Sequence, residues 1–264
     1  MAKIAFDKYY TPVYLAKYCI DKTFEVIGKE NITDIIEPSA GAGAFSHQLD
    51  CTAYDIAPDH NSIIKQDYLA LDLGYKKGRL AIGNPPYGRS SNLAVQFFKK
   101  SIKFADYVSF ILPVTFFENE IRMYEFDLVH SEVLKDVKYS GKKVMTCLNI
   151  FRRPATGILN KKKNYKLEDV EIYEYRRGIN GLPKIFDYGI NNWGSGIGKE
   201  VKIPGVYAHE LFFIIKNKKL KKRILKLVKE TDWRNIFVHP KSITFSVAIW
   251  RIYKYLKEQI PELK

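Results

Sequence analysis

Cysteine is scarce in this chain. Its three residues, Cys19, Cys51 and Cys147, lie far apart with no C-x-x-C pair, which excludes a disulfide framework and a cysteine-built zinc site. No apolar run approaches the roughly 20 residues that a membrane span needs. The first residues, "MAKIAFDKYY", lack the apolar segment of a secretory signal. The expectation is a cytoplasmic protein that uses neither a membrane nor a metal. Internal repeats and long low-complexity tracts are also missing, and only short basic clusters break the pattern, "NKKKNYK" (160–166) and "KNKKLKKR" (216–223).

What is present is a globular composition. At 264 residues and 46% hydrophobic content, the chain suffices for one large domain or a core domain with an appendage. The net charge of +14 is unevenly spread. Residues 1–141 hold 16 Lys and Arg against 18 Asp and Glu, a net −2, whereas residues 142–264 hold 27 against 11, a net +16. A slightly acidic half followed by a strongly basic one suggests a core with an attached surface for a polyanion. Charge alone serves solubility equally well.

Strand and helix signals alternate through the first 150 residues, which predicts a mostly parallel sheet with helices on both faces. Thr11-Pro12 reads as an N-cap and first helical residue, opening a helix to about Gly28. Strands follow at "TDIIE" (33–37), "TAYDI" (52–56), "IIKQD" (63–67) and the apolar Leu80–Ile82, with a short helix after the glycine loop. A helix over 92–105 precedes a buried strand at 107–113, and strands at 132–140 and 144–153 read as an antiparallel edge hairpin. The alternation fades past Pro154, so the expected division is a catalytic domain over 1–153 and a basic region over 154–264. The latter carries a strand at 169–177, a glycine-rich loop at 191–200, an apolar run "HELFFII" (209–215) and two amphipathic helical patterns at 217–230 and 246–259, both expected to pack on the core.

Two motifs carry chemistry. "EPSAGAG" (37–43) follows a strand, where a doubly wound sheet binds nucleotide-like ligands, and Gly41 and Gly43 permit close approach of backbone to ligand. The Lys-Ser/Thr ending of a phosphate loop is absent, and the third glycine of a dinucleotide loop is replaced by Ser46, so a pyrophosphate cradle is disfavoured. Instead, acids stand at three successive strand ends: Glu37, Asp55 and Asp67. They suit a ligand with a cationic amino-acid end, a ribose diol and an adenine amine, which describes S-adenosylmethionine. Glu37 is assigned to the methionine end, Asp55 to the ribose and Asp67 to the adenine amine.

The second motif is the corner "GNPPYG" (83–88), directly after an apolar strand. An adenine amine is a poor nucleophile because its lone pair is conjugated with the ring. The Asn84 side-chain oxygen and the Pro85 carbonyl would each accept one amine N–H and so aim the lone pair at a methyl donor. Pro86 restricts Pro85 to extended conformations, so the carbonyl is aimed in advance. Tyr87 offers a ring face to a base turned out of the duplex.

Taken together, "YYTP" (9–12), "EPSAGAG" (37–43), "AYDI" (53–56), "QDYL" (66–69) and "GNPPYG" (83–88) occur in an order that resembles the adenine-N6 DNA methyltransferases of the gamma motif order, over about the first 150 residues. The resemblance implies a Rossmann-like class I methyltransferase fold, α/β with a seven-stranded, mostly parallel sheet and an antiparallel edge hairpin. It implies Asn84, Pro85, Pro86 and Tyr87 as the catalytic corner. Tyr10, Thr11, Pro12, Glu37, Ser39, Gly41, Gly43, Asp55, Asp67 and Tyr68 are the implied S-adenosylmethionine-binding set, with Tyr10, Thr11 and Pro12 near the methionine end. Phe151 is implied to help hold the flipped base. The basic C-terminal region matches nothing in the family, and Arg152, Arg153, Lys161, Lys162, Lys163, Arg176 and Arg177 are the expected phosphate contacts.

The partner expected is therefore duplex DNA with a flipped adenine. Without a nuclease signature, the enzyme would stand alone, in a restriction-modification or phage protective setting, with a monomer favoured. An RNA or protein-glutamine methyltransferase poses the same nucleophile problem, and the placement of the extra region behind the glycine loop argues against the protein case. A nucleic-acid-binding protein with an inert methyltransferase fold is the remaining alternative, and it would have no need of amine-directed acceptors.

Overall fold

The computed structural model describes residues 10–236 and 246–264, which divide into two compact units, one ending at Lys163 and one beginning at Asn164. Residues 154–163 stay with the first unit because they fold back on it: the Asn160 backbone N–H donates to the Glu125 carbonyl, and Lys163 pairs with Glu120 at 2.8 Å.

The first unit is built on a seven-stranded sheet. Its strands in chain order are β1 (Asp34–Glu37), β2 (Thr52–Asp55), β3 (Ile64–Lys65), β4 (Arg79–Gly83), β5 (Tyr107–Pro113), β6 (Asp127–Leu134) and β9 (Thr146–Arg152), arranged 3-2-1-4-5-9-6. The first five of that order are parallel, and β9 runs antiparallel between β5 and β6. The expected α/β, Rossmann-like sheet with an antiparallel edge hairpin is thus present. Alternate residues of the central strands point to opposite faces, as strand geometry requires. Leu80, Ile82 and Ile111 pack with Leu15, Cys19 and Ile20 of α1 (Val13–Ile27); Ala81, Val108, Phe110 and Phe151 pack with Ala94, Phe97 and Phe98 of α2 (Asn92–Ser101).

Local detail departs from expectation in three places. Helix α1 starts at Val13, with Pro12 in the capping position and no side-chain cap, so Thr11 is not the N-cap; its hydroxyl is engaged elsewhere. The chain after the glycine loop forms a single 3-10 turn, Ser46–Gln48, rather than a helix. The hairpin strands β6 and β9 are joined through a small ribbon, β7 (Lys138–Tyr139) with β8 (Lys142–Lys143), so the first of them lies earlier than 132–140. Tyr139 drives that insertion by burying its ring, with its hydroxyl 2.7 Å from the Thr146 hydroxyl.

The second unit has a three-stranded antiparallel sheet, β10 (Val170–Arg176), β12 (His209–Ile215) and β11 (Tyr188–Asn191), in the order 10-12-11. Val170, Ile172, Ile190, Leu211 and Phe213 on one face meet Ile224 and Val228 of α3 (Lys221–Glu230) and Ile252 and Leu256 of α4 (Ile249–Gln259), so both helices cover the sheet of their own unit.

Candidate active site

Because β1, β2 and β4 are parallel, Glu37, Asp55 and Gly83, each the last residue of its strand, come out on one edge of the sheet. The glycine loop is tied down there by Asp55. One carboxylate oxygen accepts from the Gly41 backbone N–H at 2.8 Å and the other from the Ala57 N–H at 2.8 Å. Gly41 and Gly43 have φ of +52° and +84°, conformations that residues with a Cβ rarely adopt. A Cβ on Gly43 would also lie 2.6 Å from the His47 ring, whereas one on Gly41 would meet only the Tyr10 ring at 3.6 Å.

Glu37 is buried at the base of this loop, and its carboxylate accepts from the Ser46 N–H at 2.8 Å. Burial pushes its carboxyl up to about 7; the Ser46 hydrogen bonds oppose the rise and the neighbouring Asp55 carboxylate adds to it. Tyr10 closes the loop from above, its hydroxyl donating to Asp59 at 2.7 Å.

The corner converges on Asn84. Its side-chain N–H donates to the Thr11 hydroxyl at 3.1 Å, its side-chain oxygen accepts from the Tyr87 hydroxyl at 3.0 Å, and its backbone carbonyl accepts from the Ser39 hydroxyl at 3.1 Å. Three segments distant in sequence are thereby fastened to one residue: the N-terminal Tyr10-Thr11-Pro12 stretch, the glycine loop and the corner itself. Pro85 is buried, while Asn84, Pro86 and Tyr87 are half-buried. The loop leaving the corner carries left-handed residues, Gly88 at +65°, Ser90 at +52° and Ser91 at +57°. Arg122 holds it, donating to the Ser90 carbonyl at 2.9 Å and to the Asn92 side chain at 3.2 Å while lying over the Phe116 ring at 4.6 Å. Nothing in the sequence pointed to Arg122, because a lone arginine in a polar stretch has no motif.

The remaining assigned residues do not join this cluster. Asp67 is exposed and caps the 3-10 turn at Tyr68–Ala70 by accepting from the Leu69 N–H at 2.9 Å. Tyr68 is a core residue, stacked on Phe97 at 5.3 Å, with its hydroxyl 2.8 Å from that of Ser101. Phe151 is fully buried against Phe98 at 4.8 Å and presents no face to a base. Arg153 pairs with Asp106 at 3.0 Å, donates to the carbonyls of Ile102 and Ala105, and lies against the Tyr75 and Phe126 rings. Arg152 reaches the Val26 carbonyl, Arg176 pairs with Glu174 at 2.9 Å, and Arg177 donates to the carbonyls of Gly205 and Val206. Of the four arginines expected on phosphates, Arg153 is enclosed, and Arg152, Arg176 and Arg177 are exposed with a contact each to the fold.

The cluster fits S-adenosylmethionine in its chemistry. The backbone at Gly41 carries no side chain between the loop and the Tyr10 ring, and each oxygen of Asp55 has a second lone pair for a hydroxyl. Glu37 is an acid whose ionisation a nearby cation would favour. Among the described residues, no group of three His, Cys, Asp or Glu could hold a metal ion, and no helix is long and apolar enough to cross a membrane.

No protein-family model and no curated protein matches the chain. Among solved structures, it is similar to a candidate RNA methyltransferase of Pyrococcus horikoshii, with 15% identity over 58% of this chain and 89% of that one and a TM-score of 0.43. It is also similar to a candidate class I S-adenosylmethionine-dependent methyltransferase of Listeria monocytogenes, with 13% identity, 58% and 62% coverage and a TM-score of 0.42. A protein of Thermoplasma acidophilum gives 16% identity, 53% and 86% coverage and a TM-score of 0.38.

Proposed function

We propose that the chain transfers the methyl group of S-adenosylmethionine to the N6 amine of an adenine turned out of duplex DNA. The observation that carries this reading is the fastening of Asn84: its amide is held at one end by Thr11 and at the other by Tyr87, beside the glycine loop. The donor supplies an already activated methyl on a positive sulfur. The chain's part is to hold the acceptor. With its N–H end committed to Thr11, the amide keeps its oxygen toward the corner, and an oxygen with two lone pairs can accept from an amine as well as from Tyr87. The Pro85 carbonyl supplies the second acceptor, aimed by the two proline rings. Two fixed acceptors favour a pyramidal nitrogen whose lone pair is free to attack, and they need no reorganisation at the moment of reaction. Replacing Asn84 by Ala is expected to lower turnover about 100- to 1,000-fold while donor binding is retained. Lost donor binding with normal single-turnover transfer would contradict the role.

A further inference from the structure

Arg153 is held inside the first unit and the exposed Arg152, Arg176 and Arg177 each contact a group of the fold, whereas a denser run of positive charge lies further along the chain. Residues 216–229 carry eight lysines and arginines and no acid. Three acids near this stretch pair with residues at its edges, Lys216 with Glu171 at 2.8 Å, Lys221 with Asp187, and Arg223 with Glu262 at 2.8 Å, and Glu230 ends α3. What remains is a row. Lys222, Lys226 and Lys229 follow one another at spacings of four and three along α3, and Lys218 and Lys219 stand in the turn that leads into it; all five are exposed. Lys229 lies over the Tyr188 ring at 5.5 Å, and among the described residues no ion pair includes any of the five.

Like charges at helical neighbours oppose the helix by about 0.2–0.5 kcal/mol per pair. Solubility does not require that arrangement, because interspersed charges of both signs serve it. The lysines of the helix advance by roughly 1.5 Å per residue, so Lys222 to Lys229 span about 10 Å, the length of about three base pairs along a duplex strand. An anionic membrane would attract the same charges, but the apolar side of α3 cannot enter it: Ile224 and Val228 are buried against the sheet.

We propose that the outward face of α3 is a track for the phosphodiester backbone of duplex DNA, an inference that rests on the nucleic-acid substrate of the proposed reaction. The test is binding of an unmodified duplex DNA oligonucleotide over a salt series. The wild-type chain is compared with the triple variant Lys222→Gln/Lys226→Gln/Lys229→Gln and with an equal charge loss at exposed sites of the first unit, Lys135→Gln/Lys138→Gln/Lys142→Gln. Glutamine is as good a helix former as lysine, so α3 persists. The α3 variant should lower the steepness of log K against log salt by about 2 to 3 and weaken binding on the order of 100-fold at 0.1 M salt, while the control keeps the wild-type slope. A wild-type slope in the α3 variant overturns the proposal, as does an equal fall in both variants. Loss confined to duplex RNA, or to vesicles containing phosphatidylserine, overturns it in favour of those partners. Binding is read without methyl transfer, so a DNA-binding protein with the predicted slope change but no transfer contradicts the reaction and not the track. Transfer to DNA with an unchanged slope does the reverse.

Discussion

Asn84 is oriented by a residue 73 positions earlier in the chain, and that contact has a direct consequence for the proposed reaction. Replacing Thr11 by Val removes the acceptor for the amide N–H and frees the side chain to rotate. One such hydrogen bond is worth about 0.5–1.5 kcal/mol. Turnover should therefore fall about 3- to 10-fold with the donor's Kd little changed, and Thr11→Ser should restore it; equal turnover for Val and Ser would remove Thr11 from this role. Glu37 yields a second prediction, on stability. Below about pH 4.5 its carboxyl is protonated in folded and unfolded chains alike. From there to about pH 7 only the unfolded chain ionises, so folded stability drops as pH rises, by up to about 3 kcal/mol. Urea unfolding across that range should show the wild type losing stability relative to Glu37→Gln. That Asn84, Glu37 and Asp55 stand at one sheet edge was legible in the sequence, because strand ends and a double proline are local patterns; the same pattern also suggested Asp67, which caps the turn at Tyr68–Ala70 instead. The engagement of Arg153 with Asp106 and of Tyr68 with Ser101 was not, since charge and aromaticity do not reveal which partner the fold will bring near.

Strand β9 shows the same limit at the scale of elements. Its apolar run was readable as a strand, but its insertion between β5 and β6 buries Cys147 through Phe151 on both faces. That leaves Phe151 no surface, so its expected part in holding a base gives way to packing on Phe98. Phe151→Ala should cost about 3–5 kcal/mol of stability in urea unfolding. Phe151→Leu should keep both the fold and methyl transfer, which a base-holding role would not allow. In the second unit, the seven-residue run at β12 was visible as apolar, and β10 as a strand. Their pairing, from Val170 with Ile215 to Arg176 with His209, was not visible, because register between segments some 40 residues apart leaves no local trace.

For the molecule as a whole, residues 164–264 hold 20 Lys and Arg against 11 Asp and Glu, while the acids assigned to the donor lie in the first unit. Salt should act on the two proposed substrates unequally. Raising it from about 50 to 200 mM is expected to lower kcat/KM for duplex DNA at least about tenfold, while the donor's Kd moves by less than about twofold, as steady-state rates and calorimetry would show. The measurement that bears most directly on the account is transfer of labelled methyl from S-adenosylmethionine to duplex DNA, matched RNA and cell-extract protein in parallel, with nucleoside analysis of the labelled product. N6-methyladenine is expected in DNA and absent with Asn84→Ala; label in RNA or protein alone, or no label anywhere despite donor binding, would contradict the proposed reaction.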